Sequence, residues 1–307
     1  MLRIVQAIGG GFATVICIAQ IRDIFPVEQV MKRYADVVVI MMIAPIIAPT
    51  LGVGFLQFGW QSIFYFLAAS TLLMLLVYVF VIPETRTNIT PSINIKRLFA
   101  GYVAVINHRN RTGRITGIRY ALYGGFSAGI FMCIVTNAAM LFMQHFQFTE
   151  ISFALGFALI GLSMIVGNRI AVNVTERISA EHWLRFATAS QIICLLGLVM
   201  LSFAQLLSWQ IAATILGIVV IINGSIVPTT SARFISFFDE DAGSAASLST
   251  TCSFGFGAMI GAIAAILSRD SITPVFVTML VSAVIALCIQ LTIHPIPLPE
   301  KNAHEST

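Results

Sequence analysis

The amino-acid sequence predicts an all-α membrane protein with about nine transmembrane helices. Of its 307 residues, 58% are hydrophobic and only 10% are charged, whereas soluble domains carry about 25% charged residues. The apolar residues gather in runs of roughly 20, the length that a helix needs to cross a bilayer. These runs are apolar on every side and lack the two-residue alternation of a membrane β-barrel.

Nine such runs follow one another along the chain, and each is predicted to be one membrane-spanning helix. The links between them alternate between charged segments and short segments with almost no charge. This alternation is expected when successive links lie on opposite sides of a membrane. The predicted spans are Leu2–Ile21, Val37–Phe58, Ser62–Ile82, Ile118–Phe142, Phe153–Val174, Trp183–Leu207, Ile211–Phe234, Ala245–Leu267 and Pro274–Ile293.

Lysine and arginine set the predicted orientation. Of the 17 basic residues, all except Arg3 and Arg269 lie in or beside the charged links. Because basic residues accumulate in cytoplasmic loops, the charged links are expected to face the cytoplasm. The tail from His294 is itself one of these charged segments, so the C-terminus is expected on the cytoplasmic side as well.

The second span carries an unusual pattern of helix breakers. Pro45 and Pro49 lie four residues apart, and Gly52 and Gly54 follow in the next turn. Each proline removes a backbone donor and bends a helix, whereas glycines let a neighbouring backbone approach closely. A kinked and tightly packed helix is therefore expected here.

This pattern, A-P-x-x-A-P-x-x-G-x-G, resembles the antiporter motif on the fifth helix of the major facilitator superfamily, above all its Bcr/CflA-type drug/proton antiporters. The family pattern reads roughly G-x-x-x-G-P-x-x-G-G. Here Ala48 precedes the second proline, and Val53 takes the place of the second glycine. The resemblance implies that the two prolines and two glycines pack against the opposite half of a transporter and prevent leaks.

The first span carries a second resemblance. The segment from Leu2 to Gly11 is similar to the family's fourth-helix motif R-x-x-Q-G, with Arg3 and Gln6 kept and Ala7 replacing the glycine. The chain therefore resembles helices four to twelve of a twelve-helix transporter, without the first three. The expected architecture is a partial major-facilitator fold, with three helices of the N-terminal half and a six-helix C-terminal half.

The spans and the resemblance together divide the chain into four parts. These are the rest of the N-terminal half, 1–82, a cytoplasmic connection, 83–117, the C-terminal half, 118–294, and a cytoplasmic tail, 295–307. Within the connection, an apolar stripe with helical spacing predicts a short amphipathic helix at the membrane surface. The stripe consists of Ile93, Ile95, Leu98, Phe99, Tyr102, Val103 and Ile106.

Three charged residues are expected to form a cytoplasmic network. Asp23 resembles the aspartate that pairs, in the family, with the basic loop between the second and third helices. The segment 167–177, which contains Arg169 and Arg177, is similar to a degenerate form of the family's basic inter-helix loop.

Four residues are expected to take part in substrate binding or coupling. The resemblance directs Arg3 towards the family's central cavity, with Gln6 one turn further along; alternatively, Arg3 anchors a helix end at the membrane interface. Asn137 and Asn223 interrupt otherwise apolar spans. A buried amide in such a span either contacts substrate or bonds neighbouring helices together.

No aspartate or glutamate falls within any of the nine predicted spans. Proton-coupled antiport needs a titratable group that is alternately buried and exposed, and in the family carboxylates of the first helix supply it. That helix has no counterpart in this sequence. The nine spans alone are therefore expected not to couple transport to protons.

Signatures of enzymes and metal proteins do not occur in the sequence. It contains no G-x-x-x-x-G-K-[ST] and no H-E-x-x-H, and its 5 cysteines lie singly in apolar runs. Its single G-x-S-x-G match, Gly125 to Gly129, lies inside a predicted membrane span rather than at the strand-to-helix turn that a nucleophile elbow requires. No enzymatic activity, cofactor or metal is predicted. A net charge of +4 is too small to indicate nucleic-acid binding.

The resemblance implies a multi-pass secondary transporter of the bacterial inner membrane that exports drugs or other lipophilic small molecules in exchange for protons. Its expected partners are the lipid bilayer, the substrate and protons. Two alternatives stay open. The chain is a carrier of another solute, because a fold does not fix its substrate, or it is an inactive remnant or non-transporting membrane protein.

Overall fold

The computed structural model describes residues 2–25, 37, 40, 44, 47–81, 95–107, 117–238, 242–268 and 271–293. Every element of regular secondary structure in these residues is helical. The chain forms two compact units, Met1–Ile93 and Asn94–Thr307, which are described separately.

The first unit contains three described helices, α1 (Leu2–Ile24), α2 (Ile47–Leu56) and α3 (Gln61–Val81). A tight turn joins α2 to α3 at Gly59, whose φ of 92° favours glycine. Ser62 stabilises this turn, because its hydroxyl donates to the carbonyl oxygens of Phe55 and Gly59 at 2.6 and 2.7 Å. Gln20 donates to the hydroxyl of Tyr78 at 3.0 Å and links α1 to α3.

The second unit is a bundle of six long helices with one short helix, α4, packed against it. Its helices are α4 (Ile95–Ile106), α5 (Gly117–Ala139), α6 (Glu150–Thr175), α7 (Ala180–Phe203), α8 (Trp209–Ile235), α9 (Ala242–Leu267) and α10 (Thr273–Leu291). α5 continues as a π-helical turn, Met140–His145. Among the described residues, α3 and the six bundle helices are long and apolar enough to cross a membrane. They coincide within a few residues with seven of the nine predicted spans.

Helices α6 and α8 are in backbone contact at a pair of glycines. A methyl group added to Gly167 would overlap the carbonyl oxygen of Ile221, and one added to Gly224 would lie 2.5 Å from the carbonyl oxygen of Met164. Any larger residue would push the two helices apart, because backbone atoms cannot move aside as a flexible side chain can. Gly125 serves a similar contact between α5 and α9, with a methyl group 3.1 Å from a backbone oxygen.

Two arginines close the C-terminal end of α10. Arg119 of α5 donates to the carbonyl oxygen of Thr292 at 2.9 Å, and Arg185 of α7 donates to that of Ile293 at 2.7 Å. The last carbonyl groups of a helix lack partners within the helix and carry its negative dipole end. The guanidinium groups of two neighbouring helices supply both the missing hydrogen-bond donors and a positive charge at this negative end of the dipole.

Helix α4 lies where the sequence predicts a short amphipathic helix, and the burial of its side chains is described from residue 101 onwards. Val105, outside the predicted stripe, is fully buried in a cluster with Tyr120, whereas Val103 of the stripe is 54% exposed. The Tyr102 hydroxyl lies 2.8 Å from that of Ser247 on α9. Because α4 packs on the bundle, its neighbours there select which face is buried. The four-part division of the chain stays a prediction, and the expected tail, 295–307, lies outside the described residues.

Candidate functional site

A glutamate is buried at one end of the bundle. Glu181, in the first turn of α7, is 1% exposed, and Nε of Arg233 from α8 lies 2.8 Å from its Oε1. Tyr120 of α5 donates to the same oxygen at 3.3 Å, and Gln290 of α10 donates to the backbone carbonyl of Glu181 at 3.4 Å. Burying a carboxylate is costly unless it is paired and hydrogen-bonded. Arg233 and Tyr120 meet that requirement, whereas Gln290 satisfies the backbone carbonyl of the same residue.

This glutamate corrects one expectation from the sequence. The nine predicted spans contain no carboxylate, but two described helices that are long and apolar enough to cross a membrane begin earlier than predicted and carry one in the first turn, Glu150 in α6 and Glu181 in α7. Ser179 precedes the helix and Glu181 falls in its first turn, where a negative charge suits the helix dipole. That start signal could have been recognised. The partner Arg233, which permits burial, lies 52 residues further along the chain.

A second layer of polar side chains lies next to the first. The hydroxyls of Tyr123 and Thr188 lie 2.8 Å apart, and Thr188 also donates to the carbonyl oxygen of Leu184. Both side chains are fully buried. Thr230 of α8 is buried beside them, and it packs against Gly124.

A third layer follows towards the centre of the bundle. Asn223 donates to the carbonyl oxygen of Ser127 at 2.7 Å, and Gln191 donates to that of Val219 at 3.5 Å. All three polar side chains of this layer are 1% exposed or less. Each layer thus takes one residue from each of α5, α7 and α8. We call the nine residues the polar column: Tyr120, Tyr123, Ser127, Glu181, Thr188, Gln191, Asn223, Thr230 and Arg233.

The polar column crosses a large part of the bundle. Glu181 and Gln191 are separated by ten residues of one helix, a rise of about 15 Å. This is half of the roughly 30 Å of hydrocarbon that a transmembrane helix crosses. Hydroxyl and amide groups within such a span bond helix to helix, which fixes α5, α7 and α8 relative to one another.

The two asparagines singled out in the sequence both bond neighbouring helices. Asn223 belongs to the polar column, whereas Asn137 is 2% exposed between α5 and α9 and donates to Gly261 at 3.3 Å and to Cys133 at 2.9 Å. The structure therefore places the pair in different helix contacts. Their role in substrate binding or coupling stays a prediction.

The remaining predicted residues are distributed over both units. Arg3, Gln6 and Asp23 belong to α1, where Gln6 is exposed and the other two side chains lie outside the described part of the chain. Pro49, Gly52 and Gly54 belong to α2, and Pro45 lies outside the described residues. Arg169 and Arg177 are exposed, on α6 and just beyond its end. Their expected roles in gating and in a charge network stay predictions.

Two cavities lie between α6 and α8, on either side of the Gly167–Gly224 contact. One, of about 390 Å³, is lined by Asn168, Thr175 and Arg233 and is here called the arginine cavity. The other, of about 850 Å³, is lined by four aromatic rings and is called the aromatic cavity. Its rings belong to Phe142, Phe146, Phe148 and Trp209. The sequence does not single out the last three, since they lie at or beyond the ends of apolar runs.

Among the described residues, no three histidine, cysteine, aspartate or glutamate side chains lie together in a group that could hold a metal ion.

Comparisons with known proteins give consistent results. The sequence model of the Major Facilitator Superfamily matches residues 1–262. The chain is 26% identical over 292 residues to a protein of Haemophilus influenzae named bicyclomycin resistance protein homolog, and this alignment covers 93% of the chain and 71% of the relative. It is 27% identical over 166 residues to the multidrug resistance protein MdtL of Salmonella schwarzengrund and 28% identical to that of Salmonella dublin. Those alignments cover 53% of the chain and 40% of each relative.

Proposed function

The chain belongs to the major facilitator superfamily, and on that premise we propose that it exports drugs or other lipophilic small molecules in exchange for protons. The predicted class, an all-α multi-pass membrane protein of a transporter family, is confirmed. The substrate and the coupling ion are the proposal.

The similarity to the bicyclomycin resistance homologue is the main support for the proposed substrate class. That similarity extends over almost the whole chain rather than over one shared segment. The relatives named for multidrug resistance point the same way. Because a common fold hosts carriers of many solutes, the named relatives and the lining of the aromatic cavity, rather than the fold, support export of lipophilic compounds.

The polar column supports a bundle that moves as one body during transport. Alternating access in many transporters is largely rigid-body rocking of one half against another. Glu181 and its three partners hold together α5, α7, α8 and α10 at one end. Separating α7 from α8 would leave Glu181 without Arg233, and breaking a buried ion pair costs about 3–5 kcal/mol.

The proposal includes an orientation and a membrane. The protein resides in the bacterial inner membrane, with its charged links and its C-terminus in the cytoplasm, as the distribution of lysine and arginine indicates. Glu181 then lies near the cytoplasmic surface, because α7 begins at Ala180, within a charged link, 168–182. Protons and a lipophilic substrate are its partners.

Transport by the purified chain tests this function. The 307-residue chain is reconstituted in liposomes, a pH gradient is imposed, and the movement of ethidium is followed by its fluorescence. We expect movement that stops when a protonophore collapses the gradient and that is absent from protein-free liposomes. This expectation replaces the prediction from the sequence that the nine spans alone do not couple transport to protons, because that prediction rested on the absence of any carboxylate from the spans, and Glu181 lies in the first turn of α7. Movement that is unaffected by the protonophore would overturn proton coupling. Failure to move ethidium, with bicyclomycin and chloramphenicol also not transported, would overturn drug export.

A further inference from the structure

The third layer of the polar column contains three buried polar atoms that lack a partner. Oγ of Ser127, Oε1 of Gln191 and Oδ1 of Asn223 make no hydrogen bond to any of the described residues. The three side chains are 1% exposed or less, so bulk water does not reach them. In native proteins the large majority of buried side-chain polar atoms have a partner, which is either protein or ordered water. Three such atoms at one level, from three helices, therefore indicate a partner that they share.

The side chains of this layer approach one another at a single turn of α8. Asn223 belongs to α8, and its side chain leans towards the N-terminus of that helix, over the turn that contains Val219. Gln191 of α7 donates its amide to the carbonyl oxygen of Val219 at 3.5 Å. Asn223 in turn donates to the backbone carbonyl of Ser127 at 2.7 Å. The two amide groups and the serine therefore lie together between α5, α7 and α8.

The hydrogen bond that each amide group already makes fixes its orientation. If the oxygen and nitrogen of the Asn223 amide exchanged places, the oxygen would lie 2.7 Å from the carbonyl oxygen of Ser127. Two acceptors at that distance repel each other, since neither has a proton to donate. The same exchange in Gln191 would place its oxygen against the carbonyl oxygen of Val219. Both amide oxygens are therefore acceptors that still need a donor.

The hydroxyl protons of the second layer are already used elsewhere. Thr188 donates to the carbonyl oxygen of Leu184, so Tyr123 is the donor in the pair that it forms with Thr188. Thr230 donates to the carbonyl oxygen of Ile226 at 2.7 Å. The second layer therefore supplies no hydroxyl proton to the amide oxygens of the third.

The unpartnered atoms consist of two acceptors and one hydroxyl donor. A water molecule donates two hydrogen bonds and accepts others, and a buried water makes about three in all. We propose that one water molecule is bound in the third layer, where it donates to Oε1 of Gln191 and Oδ1 of Asn223 and accepts the hydroxyl proton of Ser127. It joins α5, α7 and α8 through one additional hydrogen-bonded centre. This inference does not depend on the proposed function, because it concerns hydrogen bonding within the bundle.

A metal cation is less suited to this layer than water. The backbone carbonyl oxygens of Ser127 and Val219, which face the layer, already accept amide protons. The carboxylate of the polar column, Glu181, belongs to the first layer and is paired with Arg233. A buried cation without a counter-charge is costly, whereas a neutral water molecule needs only hydrogen-bond partners.

Electron density of the full chain tests the proposal directly. A crystal structure of the 307-residue protein, at a resolution that shows ordered water, should contain one density peak within hydrogen-bond distance of all three atoms. A second crystal, grown with thallium(I) in place of sodium and potassium, should show no anomalous peak there, because thallium(I) replaces bound monovalent cations. Absence of the density peak, or an anomalous thallium peak at its position, would overturn the proposal.

Denaturant unfolding of the purified protein in detergent tests the same site in solution. Ser127→Ala should lower the folding equilibrium constant about fivefold, as the loss of one buried hydrogen bond does. An unpartnered hydroxyl would give the opposite result, because its removal would relieve a buried unpaired group. Ser225→Ala is the matched control, since Ser225 is 1% exposed and its hydroxyl donates to Ile222 of its own helix at 2.7 Å.

A double-mutant cycle distinguishes a bridging water from independent contacts. Gln191→Met keeps the length of the side chain but removes the amide. In that background Ser127→Ala should cost less than in the wild type, because the water has already lost one partner, whereas the cost of Ser225→Ala should be unchanged. A neutral or stabilising effect of Ser127→Ala in the wild type, or additive effects of Ser127→Ala and Gln191→Met, would overturn the water site.

Discussion

Nε of Arg233 lies 2.8 Å from Oε1 of Glu181, and the two residues come from opposite ends of α8 and α7. The carboxylate is 1% exposed and the arginine side chain 21% exposed. Two charges withdrawn from water in this way depend on each other.

Replacing Glu181 with methionine should destabilise the bundle by up to about 3–5 kcal/mol, because Arg233, whose side chain is 21% exposed, would lose its counter-charge. Replacing both residues with methionine should cost less than the single change, since no charge is then left unpaired. Denaturant unfolding of the purified protein in detergent measures both. Glu176→Gln, an exposed position at the end of α6, is the control and should change stability little. A double variant less stable than the single one would contradict this account.

Gly167→Ala should separate α6 from α8 and lower stability by about 1–3 kcal/mol, as overpacking commonly does. The added methyl group would overlap the carbonyl oxygen of Ile221. Gly197→Ala on α7 is the matched control, because a methyl group there meets no atom within 4 Å. That control should be neutral or stabilising, since alanine favours a helix more than glycine does. Thermal unfolding of the two variants side by side makes the comparison, and equal effects would show that the close contact is not decisive.

Tyr123→Phe should cost about 0.5–1.5 kcal/mol through the loss of its hydrogen bond to Thr188. In a Thr188→Val background the same change should cost less, because the partner is already gone. The coupling in this double-mutant cycle is measured by denaturant unfolding. Tyr65→Phe, at an exposed position of α3, serves as a control for the loss of a hydroxyl without a core contact. Additive effects of Tyr123→Phe and Thr188→Val would mean that the hydroxyl pair contributes nothing to stability.

Reporter fusions should place the two kinds of link on opposite sides of the membrane. A fusion between 88 and 114 should show cytoplasmic activity and one between 268 and 273 external activity, because the basic residues concentrate in the former. A paired set of alkaline phosphatase and green fluorescent protein fusions gives reciprocal readouts. The same sign at both links would contradict the predicted orientation.

Hydropathy alone locates most of the fold. Seven predicted spans correspond to long helices because a run of about 20 apolar residues has few other stable forms. Hydropathy locates helix starts less well. The structure begins α7 at Ala180 rather than at Trp183, and this earlier start includes Glu181 in the helix. A charged residue in the first turn lowers the mean hydropathy of that turn, so a span predicted from hydropathy begins after the true start of the helix. Similarly, the buried face of α4 depends on Ser247 and other neighbours distant in sequence.

The residues of the candidate sites are harder to predict from the sequence than the helices are. Asn223 was singled out for its polarity, but its partner Ser127 lies 96 residues away, and only folding reveals the layer they share. Phe148 and Trp209 belong to a link and to a helix start, where an aromatic residue carries no obvious signal. Their edge-to-face contact at 5.5 Å arises from the way the π-helical turn ends.

The contact between Gly167 and Gly224 also has a geometric consequence for the two cavities beside it. Two helices whose backbones meet with no side chain between them can rock about that contact. The aromatic cavity lies on one side of this fulcrum and the arginine cavity on the other. Rocking that brings α6 closer to α8 at one end and moves it away at the other would narrow one cavity and widen the other.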